Sequence, residues 1–405
     1  MYYLLPRAPP TIYTYLKYTD ISGSPPTVIS NSLSYYLSNI KLLITDKEKQ
    51  WDIYKKYTNP YEYIHSYVPN KKKSISKLRP LSRSFFKMIE MLNVFPILSK
   101  EPIKSFHLAE GPGGFIEAVA FMRNCHKDYY VGMTLQDVDD VDTNIPAWKK
   151  SDRFLREHPN VFLENGFTGT GDILSLENFV YIADKYGCSM DLVTADGGFD
   201  FSSDFNQQEI FIGKLLFAQI AFALVTQKKG GNFILKIFDC FMQHTVDLLY
   251  LLSAFYEKVY IMKPQTSRYA NSEKYIICVG FLFSERESFF PFLKETFIKM
   301  SENPEMNILR ILSFDIPSIF TKKIEEYNTL YGQKQIQNIH YTLSLIENKH
   351  KGVKIENLIQ TNIQKSIQWC IKHNIEYYTL LDNHMNGFHT VTNNNNNNNN
   401  DTIPI

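Results

Sequence analysis

The chain has 405 residues, of which 44% are hydrophobic and 14% aromatic, and its formal net charge is +1. Its length and composition are typical of a globular protein with one large core and flanking additions. The small net charge excludes binding to nucleic acid through overall charge, so any such affinity has to come from local patches. The longest apolar stretch, 210–225, is interrupted by Lys214 and Gln219, and neither a membrane span nor a signal peptide is expected.

The five cysteines are scattered without the short spacings of a zinc site. The sequence therefore predicts neither a metal centre nor a secreted disulfide framework. A reducing, intracellular location is expected instead, either the nucleus or the cytoplasm, where a viral factory is one alternative. The sequence is rich in Asn, Ile, Lys and Tyr and contains an asparagine run, which suggests an AT-rich genome.

Residues 1–70 are rich in Tyr, Pro, Ser and Thr and are interpreted as an N-terminal extension with a helical patch at 33–43. From 71 to 297, strand-like runs alternate with helical runs, which predicts an α/β domain with a mainly parallel, doubly wound sheet. The expected strands are 105–108, 129–133, 191–195, 232–236, 258–262 and 275–281. No helix separates the last two, so an antiparallel hairpin is expected at one edge of the sheet.

The pattern changes beyond about residue 297. Polar helical segments at 319–330, 335–346 and 355–373 predict a helical C-terminal region over 298–389. Residues 390–405 contain an uninterrupted asparagine run with nothing apolar to bury, which predicts a disordered tail.

A glycine-rich turn follows the first expected strand of the domain. Gly111, Gly113 and Gly114 allow close approach of the backbone to a ligand, and the helix after them offers free N–H groups. The spacing matches neither a dinucleotide fingerprint nor a phosphate loop, which disfavours NAD and ATP. Asp172 is a possible acceptor for an adenine amino group, with an N-cap of the next helix as the alternative.

Four charged residues stand at the boundaries of expected elements. Asp196 follows a strand-like run, at the edge where open α/β sheets bind ligands. Lys236 has apolar neighbours on both sides, and a buried lysine is rare unless it is paired or functional. Lys87 on a helix and Glu273 before a strand complete the set. Each alone has a structural explanation, but together they suit the deprotonation of a hydroxyl group beside a bound cofactor.

These motifs resemble the FtsJ-like, S-adenosylmethionine-dependent ribose 2′-O-methyltransferases, and within them the cap-specific mRNA enzymes. The resemblance covers 82–283 and rests on the segments 111–115, 169–173, 195–199, 231–236 and 263–275. It implies a Rossmann-like methyltransferase fold and a catalytic tetrad formed by Lys87, Asp196, Lys236 and Glu273, with Lys236 as the general base and no metal ion.

The resemblance further implies S-adenosylmethionine as the cofactor and RNA, specifically capped mRNA, as the substrate. The implied cofactor contacts are Ser82, Ala109, Glu110, Gly111, Pro112, Gly113, Gly114, Phe115, Asp172 and Ile173. The implied RNA contacts are Asn206, Arg268 and Asn271. At position 110, where many relatives carry a small residue, this chain has a glutamate.

The expected reaction is methylation of the ribose 2′-hydroxyl of a cap-proximal nucleotide, with the capping or transcription machinery as a possible partner. Two alternatives stay open. One is a ribosomal or transfer RNA ribose methyltransferase with the same tetrad, which activity on uncapped RNA would reveal. The other is a non-catalytic RNA-binding subunit with this fold, which would need no buried lysine at position 236.

Overall fold

The structure, a computed structural model, describes residues 2–21, 27–137, 145, 147–198, 206–348 and 352–379. Phe199 and the predicted tail at 390–405 lie outside these residues. The strands in the described part of the chain are β1 Tyr2–Leu4, β2 Leu16–Asp20, β3 Lys104–Leu108, β4 Tyr129–Met133, β5 Val161–Glu164, β6 Met190–Ala195, β7 Gln227–Ile237, β8 Tyr256–Met262, β9 Lys274–Phe281 and β10 Ile308–Leu312.

The helices are α1 Asn31–Thr45, α2 Glu48–Tyr57, α3 Ser84–Val94, α4 Gly114–Arg123, α5 Asp152–Glu157, α6 Leu176–Tyr186, α7 Gln208–Phe211, α8 Gly213–Thr226, α9 Gln243–Phe255, α10 Phe290–Glu302, α11 Ser318–Glu347 and α12 Gly352–Lys372. Short 3-10 turns occur at Pro10–Tyr15 and Glu62–Ile64. None of the helices in the described ranges combines the length and the apolar character that a membrane crossing requires.

Eight strands form one sheet in the order β1-β8-β9-β7-β6-β3-β4-β5. The neighbouring strands β7, β6, β3, β4 and β5 are parallel to one another, and β9 runs antiparallel to both β7 and β8. The expected fold class, a mainly parallel sheet with an antiparallel hairpin, is therefore confirmed. The hairpin is not at the very edge, however, because β1 from the N-terminal segment pairs with β8 and satisfies backbone groups that an edge strand leaves open.

Successive residues of the central strands point to opposite faces of this sheet, and both faces are buried. Val193 and Phe233 belong to one hydrophobic cluster, whereas their neighbours Leu192 and Ile234 belong to another. The first cluster includes residues of α8 and α9, and the second includes residues of α3 and α4. Because helices cover both faces, the strands are nearly continuous in apolar residues, as parallel strands usually are.

The segment after residue 297 differs from the purely helical expectation. Strand β10 pairs with β2 in a separate two-stranded sheet, and its partner lies almost 300 residues earlier, so no local pattern reveals it. The helices expected at 319–330 and 335–346 are one continuous helix, α11. A Cβ at Gly332 would lie 3.0 Å from Leu33 Cδ2, which shows how closely α1 packs on α11 there.

The two ends of the chain meet beside the domain. Helices α1 and α2 pack on α11 through a third hydrophobic cluster, which contains Leu37, Trp51 and Leu343. Phe241, four residues after the end of β7, belongs to the same cluster. The N-terminal and C-terminal segments therefore lie against the edge of the sheet at which β7 ends.

Candidate active site

The sheet register brings the four predicted tetrad residues to one edge. Strands β6 and β7 are parallel with Ala195 opposite Leu235, so Asp196 and Lys236 emerge side by side. Strand β9 is antiparallel to β7 with Tyr275 opposite Lys236, so the amino end of β9 meets the carboxyl end of β7. Glu273, just before β9, thus reaches the same edge.

The four side chains form two lysine–carboxylate pairs. Lys87 Nζ, from α3, lies 2.7 Å from Glu273 Oε2, and these side chains are only 8% and 11% exposed. Lys236 Nζ lies 3.2 Å from Asp196 Oδ1 and donates a hydrogen bond of 2.5 Å to the Asp196 carbonyl oxygen. The second pair is slightly more exposed, at 13% and 17%. The arrangement places Lys236 nearer the open side and Lys87 deeper.

Electrostatic coupling joins the two pairs. Burial disfavours ionisation of Glu273, but the charges of Lys87, Lys236 and Lys263 outweigh it and hold the pKa of Glu273 below its ordinary value. Burial lowers the pKa of Lys87, against the opposing attraction of Glu273. The Phe238 ring centroid is 5.8 Å from Lys236 Nζ, within the range of a cation–π contact.

The segment 263–273, which joins β8 to β9 and carries Glu273, is held by Lys263. The Lys263 ammonium donates to the carbonyl oxygens of Asn271 and Glu273, at 2.8 and 2.6 Å, and to Asn271 Oδ1 at 2.8 Å. Desolvation lowers the pKa of Lys263 to about 7. Lys263 thus ties Asn271 to the backbone of the tetrad glutamate.

The glycine-rich turn connects β3 to α4, as the sequence predicts. Glu110 Oε1 accepts hydrogen bonds from the N–H groups of Phe115 and Ile116, at 2.6 and 2.9 Å, which satisfies the first turn of α4. Gly113 has φ +110°, a conformation that disfavours any side chain. The turn therefore has structural reasons for its glutamate and for at least one glycine.

Glu110 also has an unused acceptor. Its Oε2 is buried and has no hydrogen-bond partner among the described residues. Burial and the nearby charge of Asp196 raise the pKa of Glu110 well above its ordinary value. A cationic group at this position would relieve that penalty, so the two carboxyl groups suit a ligand with a positive charge beside Asp196.

The other predicted cofactor contacts surround this turn. Ser82 Oγ would lie 2.3 Å from a Cβ at Gly114, so it packs directly on the turn. Ala109, with φ +49°, begins the turn, and Pro112 accepts a hydrogen bond from Ser151. The side chains of Phe115 and Ile173 are buried in the core, which leaves their backbone for a ligand.

Asp172 lies on the segment after β5. Its Oδ1 accepts a hydrogen bond from the Leu174 N–H at 2.8 Å, while the side chain stays partly exposed. A Cβ at Gly171 would lie 1.9 Å from the Thr134 carbonyl oxygen, so this segment packs on the end of β4. The Asp172 carboxylate can make this hydrogen bond and still contact a ligand through its exposed part. The adenine contact stays a prediction.

The three predicted RNA contacts occupy different surroundings. Asn271 lies on the 263–273 segment beside Lys263, and Asn206 lies two residues before the start of α7. Arg268 makes two hydrogen bonds to the fully buried carboxylate of Glu62, at 2.9 and 2.6 Å. The Arg268 guanidinium is therefore already committed to an ion pair, and its contact with RNA stays a prediction.

Sequence reasoning missed the partners that the terminal segments provide. Lys41 of α1 lies 3.0 Å from Asp239 Oδ2, and Lys274 lies 3.6 Å from Asp239 Oδ1, two residues beyond β7. Glu62 likewise comes from the extension. The Lys41–Asp239 and Glu62–Arg268 pairs join positions 198 and 206 residues apart, so no local spacing indicates them.

The chain is similar to known proteins over most of its length. A family model described as FtsJ-like methyltransferase matches residues 80–281. The chain is 29% identical over 359 residues to the cap-specific mRNA (nucleoside-2′-O-)-methyltransferase 2 of Pongo abelii, covering 83% of this chain and 45% of that protein.

Two further relatives are named cap-specific mRNA (nucleoside-2′-O-)-methyltransferase 1. The one from Trypanosoma brucei brucei is 31% identical, with 59% of this chain and 64% of that protein covered. The one from Mus musculus is 34% identical, with 55% and 27% covered. The chain therefore spans less than two thirds of the length of each of these three relatives.

Proposed function

The chain belongs to the FtsJ-like methyltransferase family, and from that premise we propose that it methylates the ribose 2′-hydroxyl of a cap-proximal mRNA nucleotide, using S-adenosylmethionine. The observation that carries the proposal is the double lysine–carboxylate arrangement at one sheet edge. The cap-proximal substrate is supported by the similarity to proteins named cap-specific mRNA methyltransferases.

In the proposed reaction, Lys236 Nζ accepts the proton of the 2′-hydroxyl while the 2′-oxygen forms its bond to the methyl carbon. Asp196 orients that amine through its carboxylate and its backbone carbonyl. Lys87 and Glu273, which are more deeply buried, set the electrostatic potential around Lys236 and Asp196. Positioned general-base assistance of this kind typically contributes about 10²- to 10⁴-fold in rate.

The residues present fit the cofactor, because a cation beside the unpaired Glu110 oxygen would stabilise the ionised carboxylate that burial and Asp196 disfavour. When bound, S-adenosylmethionine supplies a methyl group on a cationic sulfur, which keeps the electron pair of the broken bond. We assign its binding to Ser82, the 109–115 turn and the Asp172–Ile173 pair. Asn206, Arg268 and Asn271 are assigned to the RNA side.

This function places the protein inside the cell, in the cytoplasm or the nucleus, with RNA as its partner and the capping or transcription machinery as a further one. The direct test measures transfer of labelled methyl groups to matched capped and uncapped RNAs, followed by nuclease mapping of the modified ribose. We expect methylation next to the cap and a sharp loss when the cap is absent.

The matched variants are Lys236→Met and Lys236→Arg, both of which should lose about two to four orders of magnitude in turnover while cofactor binding persists. Arginine fails because its guanidinium stays protonated. Equal activity on uncapped RNA, or modification within a structured RNA, would instead favour a ribosomal or transfer RNA substrate. Cofactor binding without any transfer would favour a non-catalytic subunit.

A further inference from the structure

A cavity of about 290 Å³ lies between the terminal helices and the 263–273 segment. We call it the base cavity. Its volume is near the lower end of small-ligand pockets, which run from about 300 to 1,000 Å³. Seven of its thirteen lining residues lie outside the 80–281 region, and six of these seven are on α1, α2 and α11. Its lining residues are Lys41, Ile44, Trp51, Lys55, Asn59, Gln208, Phe238, Arg268, Ala270, Asn271, Ser272, Gln335 and Asn338.

The base cavity adjoins the tetrad. Phe238 lines it, and the centroid of the same ring is 5.8 Å from Lys236 Nζ. Asn271 lines it too, and is held by Lys263 on the segment that carries Glu273. A ribose whose hydroxyl lies at Lys236 therefore has the cavity within reach of its own base or that of a neighbouring nucleotide.

The chemistry of the wall suits a flat heterocycle with polar edges. Trp51 and Phe238 offer aromatic surface, and single-stranded RNA bases commonly bind by stacking on aromatic side chains. Asn59 is 2% exposed, its Nδ2 donates to Glu62, and its Oδ1 has no hydrogen-bond partner among the described residues. Such an acceptor costs free energy until a donor, such as a base N–H, satisfies it.

The charges of the wall select among bases. Lys41, Lys55 and Arg268 line the cavity, and no carboxylate is found among its described lining residues. Their partners, Asp239, Asp52 and Glu62, stand outside the lining. Because each cation is paired with a carboxylate behind it, the wall carries little net charge. With no carboxylate among the described lining residues to attract a positively charged ring, 7-methylguanine gains nothing there and an unmethylated base is favoured.

We propose that the base cavity binds the neutral nucleobase of a transcript nucleotide at or next to the methylated ribose, with Trp51 as the stacking surface and Asn59 as the acceptor. This inference rests on the proposed function for its RNA substrate. It gives the terminal segments a role in substrate binding, and it assigns the cap base to a different place.

The first test is a binding titration that needs no turnover. Guanosine 5′-monophosphate and 7-methylguanosine 5′-monophosphate are added separately at pH 6.5 while tryptophan fluorescence is followed. Trp148 and Trp369 are buried and do not line the cavity, so the signal lost in Trp51→Phe reports Trp51. We expect quenching by the unmethylated nucleotide, with a Kd at least about threefold lower than for the methylated one. Tighter binding of the methylated nucleotide, or no quenching by either, overturns the proposal.

The second test uses capped RNA and steady-state kinetics. Asn59→Leu and Trp51→Ala should each raise KM for RNA by about tenfold with kcat little changed, and Trp51→Phe should restore most of the loss. The matched control is Gln337→Ala, an exposed position on α11 that lines a neighbouring cavity instead. Unchanged KM in both cavity variants overturns the proposal.

These outcomes separate the two proposals. Nucleotide binding that depends on Trp51, in a protein that transfers no methyl group to any RNA, leaves the base cavity standing and removes the proposed activity. Methyl transfer that is indifferent to Asn59 and Trp51 does the reverse. Thermal unfolding of each variant checks that a loss is not due to misfolding, since Trp51 also packs in the third hydrophobic cluster.

Discussion

The buried Lys87–Glu273 pair allows a sharp test of the tetrad's electrostatics. Its atoms are 2.7 Å apart and both side chains are largely shielded from solvent. Lys87→Met leaves a buried carboxylate whose Oε1 already lacks a partner among the described residues. Removing one member of such a pair costs about 3–5 kcal/mol in the free energy of unfolding. The low end is expected here, because Lys236 and Lys263 still attract Glu273.

The double variant Lys87→Met/Glu273→Gln removes both charges and should recover most of that loss, leaving about 1 kcal/mol. If each single variant costs about 3 kcal/mol and the double variant about 1 kcal/mol, the coupling free energy between the two positions is about 5 kcal/mol. The assay is urea unfolding followed by circular dichroism for the wild type, both single variants and the double variant. Lys299→Met is the matched control, since the exposed Lys299–Glu302 pair should contribute at most about 0.5 kcal/mol.

Acid should weaken the same interaction. The pKa of Glu273 lies below its ordinary value, so its contribution is present above the unfolded carboxyl pKa of about 4.3 and is lost as pH falls through the folded pKa. The coupling should accordingly be full at pH 7 and smaller at pH 3. The reasoning is wrong if Lys87→Met costs no more than Lys299→Met, or if the single effects simply add.

Three further predictions follow from other charged groups. Glu110→Gln should weaken S-adenosylmethionine binding about tenfold by calorimetry and remove any strengthening of binding with rising pH that comes from ionisation of Glu110, because a cation favours the ionised carboxylate; equal pH profiles would contradict this. Burial lowers the pKa of Lys263 to about 7, so between pH 7 and 10 the unfolded chain binds more protons than the folded one and the urea midpoint should rise with pH. Lys263→Met should flatten that rise, whereas Lys258→Met, at an exposed position, should not. Arg268→Gln should lower the free energy of unfolding by about 3–5 kcal/mol, since it leaves the buried Glu62 carboxylate without its arginine; unchanged stability with weaker RNA binding would favour Arg268 as an RNA contact instead.

The sequence predicts the sheet because its strands carry strong local signals. Tyr129–Met133 is confirmed to the residue, and the strand ending at Ala195 differs by one. Parallel strands aligned at one edge then bring Asp196 and Lys236 together, as the α/β interpretation requires. The pattern was less informative for β5, whose Val161–Glu164 run is short and half exposed, and for β2 and β10, which depend on a distant pairing.

The candidate site was only partly predictable for the same reason. A lysine between apolar residues or a carboxylate after a strand is visible locally, so the tetrad could be named. The partner of a charged residue is not, because Glu62 and Arg268 are 206 positions apart and only the folded chain brings them together. The unpaired oxygens of Glu110 and Asn59 are also properties of packing, since they depend on which donors fail to reach them.

Elements outside the 80–281 region complete the surroundings of the tetrad. Lys41 of α1 neutralises Asp239 beyond β7, Glu62 holds Arg268, and Gln335 of α11 donates to the Ala270 carbonyl oxygen at 3.0 Å. Two of these contacts fall on the 263–273 segment that carries Glu273. Without them, Asp239 would lose one of the two lysines and Arg268 the one carboxylate that each contacts within the described ranges, and the buried charges would favour a rearranged segment. The terminal segments therefore act on the geometry of the catalytic edge as well as on the base cavity, and substitutions there should affect RNA use even at positions that never touch the reacting ribose.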